Sequence, residues 1–363
     1  MDAAVTGTTE VRQNQVPFLE YPSARQSDTT RRQCLIYLIP GNPGLIAYYE
    51  PFMKTLRQLL DEKETAEGCH SAFHIYGRNL LGFNDNDHSP SFGTPTPTGP
   101  PTAPFTLEDQ IHATCDQLAA IHRSTLPAKR PFDSAILIGH SVGAYITLEV
   151  FHRHHQSPSP PSPISSVPLQ SGILLFPTIS HIARSPSGQK LNLLRTTHLL
   201  NQHAHHVAKG FVDLCPAWLL GGIVRSAMRF PDHAAAATLR FLGSRDGIWQ
   251  ALHMGKDEMA TIGEERWGEE LWEIQRAEEA EGAEKGGEDG EGRSKFYCYF
   301  AQRDHWVADA SRDEFIERRR RHEKGRTRVV VDEEAGIPHA FCIHHSETVA
   351  EQVGRWVEDI AGL

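Results

Sequence analysis

No two cysteines of this chain are spaced C-x-x-C, although six are present: Cys34, Cys69, Cys115, Cys215, Cys298 and Cys342. Scattered thiols of this kind exclude a disulfide-stapled scaffold and read as reduced, mostly structural residues. Histidine is plentiful, with 21 residues, yet none falls into H-E-x-x-H or a Cys/His zinc spacing. No metal site is therefore expected. No apolar run approaches the ~20 residues that cross a bilayer as a helix. Met1 to Tyr21 is polar and lacks an apolar h-region, so no secretory signal is expected, and the setting reads as cytosol-facing. Positive charge is in deficit: 36 Lys and Arg stand against 46 Asp and Glu, a net charge of −10. That balance argues against a phosphate-binding surface over the whole protein, and no nucleic acid partner is expected.

What remains is globular material. The chain has 363 residues, 39% of them hydrophobic, enough for a sizeable core. Residues 1–31 read as a loosely ordered polar leader. Apolar runs at Cys34–Ile39, Ala72–Tyr76, Phe132–Ile138, Gly172–Phe176, Phe296–Ala301 and Arg328–Val331 read as strands. Between them, Tyr48–Leu60 and the segment from Thr106 carry helical spacing, with Asp109 completing an N-cap signal at Thr106. Ser346–Leu363 closes the chain as a helix. Strands that are near-continuous apolar runs, alternating with helices, predict a mostly parallel sheet covered on both faces. Residues 181–262 break the alternation with helical patterns alone, which predicts a helical lid. Asn84–Pro104 and the proline-rich Ser157–Pro168 read as loops, and the Glu- and Gly-rich 277–294 as an acidic, solvated one. Leu214–Val224 is uncharged but short. It reads either as a buried piece of core or as a surface patch that dips into a lipid interface.

One pentapeptide carries chemistry. Gly139-His140-Ser141-Val142-Gly143 fits G-x-S-x-G, follows the apolar run Ala135–Ile138 and precedes a helix-like stretch. Strand, tight turn and helix are the setting of a nucleophile elbow, which holds a serine hydroxyl exposed at the turn. A serine hydroxyl needs a base within hydrogen-bond reach, and the base needs an orienting acid. In this architecture the chain order is Ser, then acid, then His. Asp304 follows the strand Phe296–Ala301, and His339 precedes the terminal helix. Asp309 and Asp246 are rival acids; His344 and His345 are rival bases. The oxyanion requires two preorganised N–H donors. Val142, after the nucleophile, supplies one. The turn Gly41-Asn42-Pro43-Gly44 supplies the other, and because Pro43 has no N–H, Asn42 is the candidate.

These residues together resemble the lipid droplet-associated serine hydrolases, a family of the α/β-hydrolase fold. The resemblance runs through Leu38-Ile39-Pro40-Gly41-Asn42-Pro43-Gly44 with Tyr48, Tyr49 and Phe52, and through Leu107–Ile111 and the elbow. It continues in Leu175-Phe176-Pro177-Thr178-Ile179, Ser185-Pro186-Ser187-Gly188, Asp304-His305-Trp306 and Ile337–Phe341. It implies Ser141, Asp304 and His339 as the triad and lipid esters, sterol esters or acylglycerols, as substrates. It also implies a place on the lipid droplet monolayer or the endoplasmic reticulum surface. Such chemistry needs no metal or organic cofactor. The acidic segment 277–294 departs from the family pattern, as does the proline-rich 157–168. Two other readings stay open: a lipid-droplet coat or adaptor with little turnover, and a soluble carboxylesterase of small substrates.

Overall fold

The computed structural model describes residues 17–96, 99–123, 130–156, 163–268, 271–272, 295–320, 327–333 and 335–363. Seven strands form one sheet. They are β1 (Phe18–Tyr21), β2 (Arg32–Ile39), β3 (Ser71–Arg78), β4 (Ser134–His140), β5 (Leu169–Leu175), β6 (Phe296–Ala301) and β7 (Thr327–Asp332). Their order across the sheet is β1-β3-β2-β4-β5-β6-β7. β1 pairs antiparallel with β3, and every other pairing is parallel. This is the predicted α/β-hydrolase architecture.

The apolar runs work because a strand alternates its side chains between faces. Leu35, Tyr37 and Ile39 of β2 enter one core, with Leu118 and Tyr145. Cys34, Ile36 and Leu38 enter the other, with Phe52, Leu56 and Trp356. Helices α2 (Leu107–Arg123) and α3 (Val142–His155) therefore cover one face. Helices α1 (Glu50–Thr65) and α10 (Ser346–Ala361) cover the other. Thr106 caps α2 as expected, since its hydroxyl accepts from Asp109 N and its backbone N–H donates to the Asp109 carboxylate.

The helical stretch is inserted between β5 and β6. It comprises α4 (Pro186–Thr196), α5 (His198–Leu214), α6 (Ala217–Gly222), α7 (Asp232–Gly243) and α8 (Gly247–Thr261). A further helix, α9 (Asp309–Arg320), lies between β6 and β7.

Two expectations change. The leader does not extend to residue 31. Phe18–Tyr21 is an edge strand on β3, and Ser23 is buried with its hydroxyl on Glu64. Glu64 also pairs with Arg57 at 2.7 Å, so the segment is tied to a buried ion pair. Residues 1–16 lie outside the described residues, as does the acidic segment 277–294. The proline-rich loop 157–168 contains a helical turn, Pro163–Ser166, held by the buried Ile164; residues 157–162 lie outside the described residues. Of the two readings left open for Leu214–Val224, the surface patch fits most of the stretch: Leu214 is 86% exposed and Trp218 77%, with Val224 buried at its end. All six cysteines are unpaired, and all but Cys215 are buried.

Candidate active site

The site is assembled from the segments that follow β2, β4, β6 and β7. Ser141 sits between β4 and α3 with φ 56° and ψ −123°, a left-handed backbone that a side chain rarely adopts. Two glycines make that turn possible. A Cβ on Gly139 would overlap the Gly143 carbonyl, and a Cβ on Gly143 would overlap the Ile39 carbonyl. The elbow thus brings α3 hard against both β4 and β2. The Ser141 N–H donates to Leu175 O at 3.0 Å, which ties the turn to β5.

The sequence-predicted residues meet here. His339 Nε2 lies 2.9 Å from Ser141 Oγ. His339 Nδ1 lies 2.7 Å from Asp304 Oδ2, and the other Asp304 oxygen accepts from Trp306 N at 2.7 Å. Burial alone would raise the Asp304 carboxyl, but the His339 hydrogen bond and its charge outweigh it, so the net shift is below the usual 3.8. The carboxylate fixes the Nδ1–H tautomer and leaves Nε2 to accept from the serine hydroxyl.

The rival acids are engaged elsewhere. Asp246 accepts from His88 at 2.9 Å and Arg245 at 2.7 Å. Asp309 opens α9 and pairs with Arg312. His344 is exposed in a short helical segment, Phe341–His344, and His345 precedes α10.

The turn after β2 lies against the nucleophile: a Cβ on Gly41 would sit 3.0 Å from Ser141 Cβ. Gly41 N–H donates to the Tyr49 hydroxyl at 3.0 Å, so it is already committed. That hydroxyl lies 2.6 Å from His140 Nδ1, and His140 Nε2 lies 2.9 Å from the His339 carbonyl. One direction satisfies every group: Gly41 N–H to Tyr49 O, Tyr49 O–H to His140 Nδ1, and His140 Nε2–H to His339 O. Burial and the nearby His339 push the His140 imidazole down to about 3, so it is neutral. Burial likewise pushes the Tyr49 hydroxyl well up. The free position of the elbow motif is therefore a hydrogen-bond bridge between the early turn and the histidine loop. In the sequence Tyr49 stands out as a helical-period position and as part of the family pattern, and neither signals its bond to His140. Among the described residues, no group of three His, Cys, Asp or Glu is arranged to hold a metal.

A mostly parallel sheet with an elbow serine, an acid and a histidine in that chain order defines the chain as an α/β-hydrolase. A sequence profile of the lipid-droplet associated hydrolase family matches residues 32–342, and the chain belongs to that family. It is similar to the mouse lipid droplet-associated hydrolase, at 24% identity over 344 residues, covering 92% of this chain and 87% of that protein. The rat protein of the same name is 26% identical over 330 residues, covering 90% and 85%. Among solved structures, the peroxisomal alpha-beta-hydrolase Lpx1 of Saccharomyces cerevisiae superposes with a TM-score of 0.55 at 13% identity. That match covers 95% of this chain and 81% of the other, and it establishes the fold.

Proposed function

We propose that this protein is a serine esterase that cleaves carboxylic esters of lipids at a lipid droplet or endoplasmic reticulum surface. The observation that carries the proposal is the hydrogen-bond sequence Ser141 Oγ, His339, Asp304, with separations of 2.9 and 2.7 Å. His339 Nε2 takes the hydroxyl proton as Oγ attacks the ester carbonyl, and Asp304 stabilises the imidazolium that forms. The tetrahedral oxyanion is held by the N–H groups of Val142 and Asn42. Val142 opens α3, where backbone N–H groups lack intrahelical acceptors. In the early turn Gly41 is committed to Tyr49 and Pro43 has no N–H; we assign Asn42, which directly follows the Gly41 that lies against Ser141. His339 then protonates the leaving alcohol, and water releases the acyl group by the same path in reverse.

The lipid part of the proposal draws on the names of the relatives and on the inserted helices. Leu199, Val207, Phe211 and Leu214 of α5 are exposed, and so is Trp218 after it. No single described helix is long and apolar enough to cross a membrane, although α5 and the following Ala217–Ala227 pass that test as a pair bent by 100°. An exposed apolar surface on a bent helical pair suits a monolayer that it enters from one side. Sterol esters and acylglycerols are the substrates we assign. Residues 181–262 are the lid.

A fluorophosphonate probe tests the chemistry: the wild type labels and Ser141→Ala does not. Equal labelling of both would overturn the assignment. Full rescue of a deletion phenotype by Ser141→Ala would favour a coat or adaptor role. Failure of the wild type to float with droplets would favour a soluble esterase of small substrates.

A further inference from the structure

A buried acid lies outside the Ser-His-Asp set and touches the turn that supplies Asn42. Glu258, on α8, is 4% exposed. Its Oε1 accepts from Asn42 Nδ2 at 3.0 Å, and the same nitrogen donates to Ala251 O at 3.0 Å. Both N–H bonds of the amide are therefore used, and both acceptors belong to one helix. Gly255 lies between them in sequence, and a Cβ there would come within 3.5 Å of the amide nitrogen and 2.9 Å of Leu191 Cδ2. The absent side chain lets the turn approach the helix.

Helix α8 is itself anchored to the hydrolase body. Gln250 grips Phe105 through both backbone groups, at 2.8 Å each. Asp257 accepts from Leu107 N at 2.7 Å. The Asn42 amide thus rests on a beam fixed at other points. Burial pushes the Glu258 carboxyl up to about 8, so near neutral pH it is a neutral acid whose carbonyl oxygen accepts. An apolar side chain would fill the same space without the cost of burying a polar group. What the acid adds is the bond to Asn42.

We propose that Glu258 is a positioning residue: with the Ala251 carbonyl it clamps the Asn42 side chain, and so sets where the Asn42 backbone N–H points at the oxyanion. The inference rests on the reading of Asn42 as an oxyanion donor. An oxyanion donor works by being fixed before charge develops, so a loosened turn costs transition-state binding while leaving ground-state binding nearly intact.

The test uses the full chain, a soluble p-nitrophenyl ester and a trifluoromethyl ketone that mimics the tetrahedral adduct. Glu258→Leu should lower kcat by about 10- to 100-fold, the scale of a misplaced catalytic group. KM should move less than about threefold, and the ketone should lose affinity in step with kcat/KM. Glu258→Gln keeps an acceptor and should restore most of kcat. Asn42→Ala removes the clamp from the other side, and adding it to Glu258→Leu should cost little more. If Glu258→Leu does not fold, Glu258→Gln and Asn42→Ala carry the same comparison. Wild-type kcat and ketone affinity in Glu258→Leu, multiplicative effects in the double variant, or a wild-type kcat in Asn42→Ala would overturn the proposal. A wild type that neither labels nor turns over would instead remove the esterase reading itself.

Discussion

The bridge through His140 makes a prediction that reads stability instead of turnover. The imidazole is buried between Tyr49 and the His339 carbonyl, and its native pKa falls from 6.5 to about 3. Below pH 6.5 the unfolded chain binds a proton at this position that the folded chain refuses. Stability is therefore lost as pH falls, at about 1.4 kcal/mol per unit. Between pH 7 and pH 5 the loss from this one group comes to about 2 kcal/mol. His140→Gln removes the titration and keeps an amide able to donate to the His339 carbonyl. The variant will be less stable at pH 7, since it gives up the Tyr49 bond. Its deficit relative to the wild type should then shrink by about 2 kcal/mol at pH 5. Urea unfolding at both pH values measures this directly. Other histidines pushed down by burial, such as His155, titrate in both proteins and cancel in the difference. An unchanged gap between the two proteins would mean that the native imidazole accepts a proton at pH 5. The directional bridge from Gly41 to His339 would then be wrong.

Asp304→Asn should leave the fold intact and lower kcat by about 10⁴-fold, because an amide does not hold His339 in the Nδ1–H tautomer; steady-state kinetics with melting curves separates the two effects. The stability that the Asp304 carboxylate contributes is present above its unfolded value of 3.8 and is lost as pH falls through its lower folded value. Gly143→Ala should destabilise the protein by at least about 1–3 kcal/mol, since the added methyl meets the Ile39 carbonyl; a wild-type urea midpoint would contradict the elbow packing. Replacing Leu214 and Trp218 together by Ser should weaken flotation with artificial lipid droplets at least about tenfold, given roughly 1.5–3 kcal/mol for each side chain removed from water. Undiminished flotation would place the lipid contact elsewhere.

The sheet could be read from the chain because its strands are buried on both faces. Such strands carry continuous apolar runs, and β2, β4 and β6 are wholly or almost wholly buried. Errors occurred where that condition fails. β1 has four residues and lies at the edge, so only its pairing with Ile75–Arg78 distinguishes it from a polar leader. Helix α9 went unnoticed because its sequence is a dense run of charges, and Phe315 and Ile316 are the buried pair within it. Two apolar positions make too narrow a stripe to show a helical period. The Leu214–Val224 stretch illustrates the converse. Hydropathy alone does not separate a core segment from an exposed one, and the two readings diverge only once Trp218 is seen facing outward.

The candidate site divides along a similar line. The elbow is local: its glycines, its serine and its flanking elements lie within one short stretch. Asp304 and His339 follow from topology, because each strand end of a parallel sheet delivers its loop to the same edge. The supporting contacts have neither property. Tyr49 meets His140 across 91 residues, and Asn42 meets Glu258 across 216. In the chain Glu258 belongs to Lys256-Asp257-Glu258, which reads as an ordinary solvated helix face. Its neighbours do take outward roles, Lys256 reaching Asn201 and Asp257 capping α2. Successive helical residues point about 100° apart, so one member of a charged triplet is turned inward whenever the helix is packed on that side. The cost of burying it is met by leaving it protonated and giving it one donor. That donor is the side chain of Asn42, the neighbour of the Gly41 that lies against Ser141, and no local pattern in either segment announces the pairing.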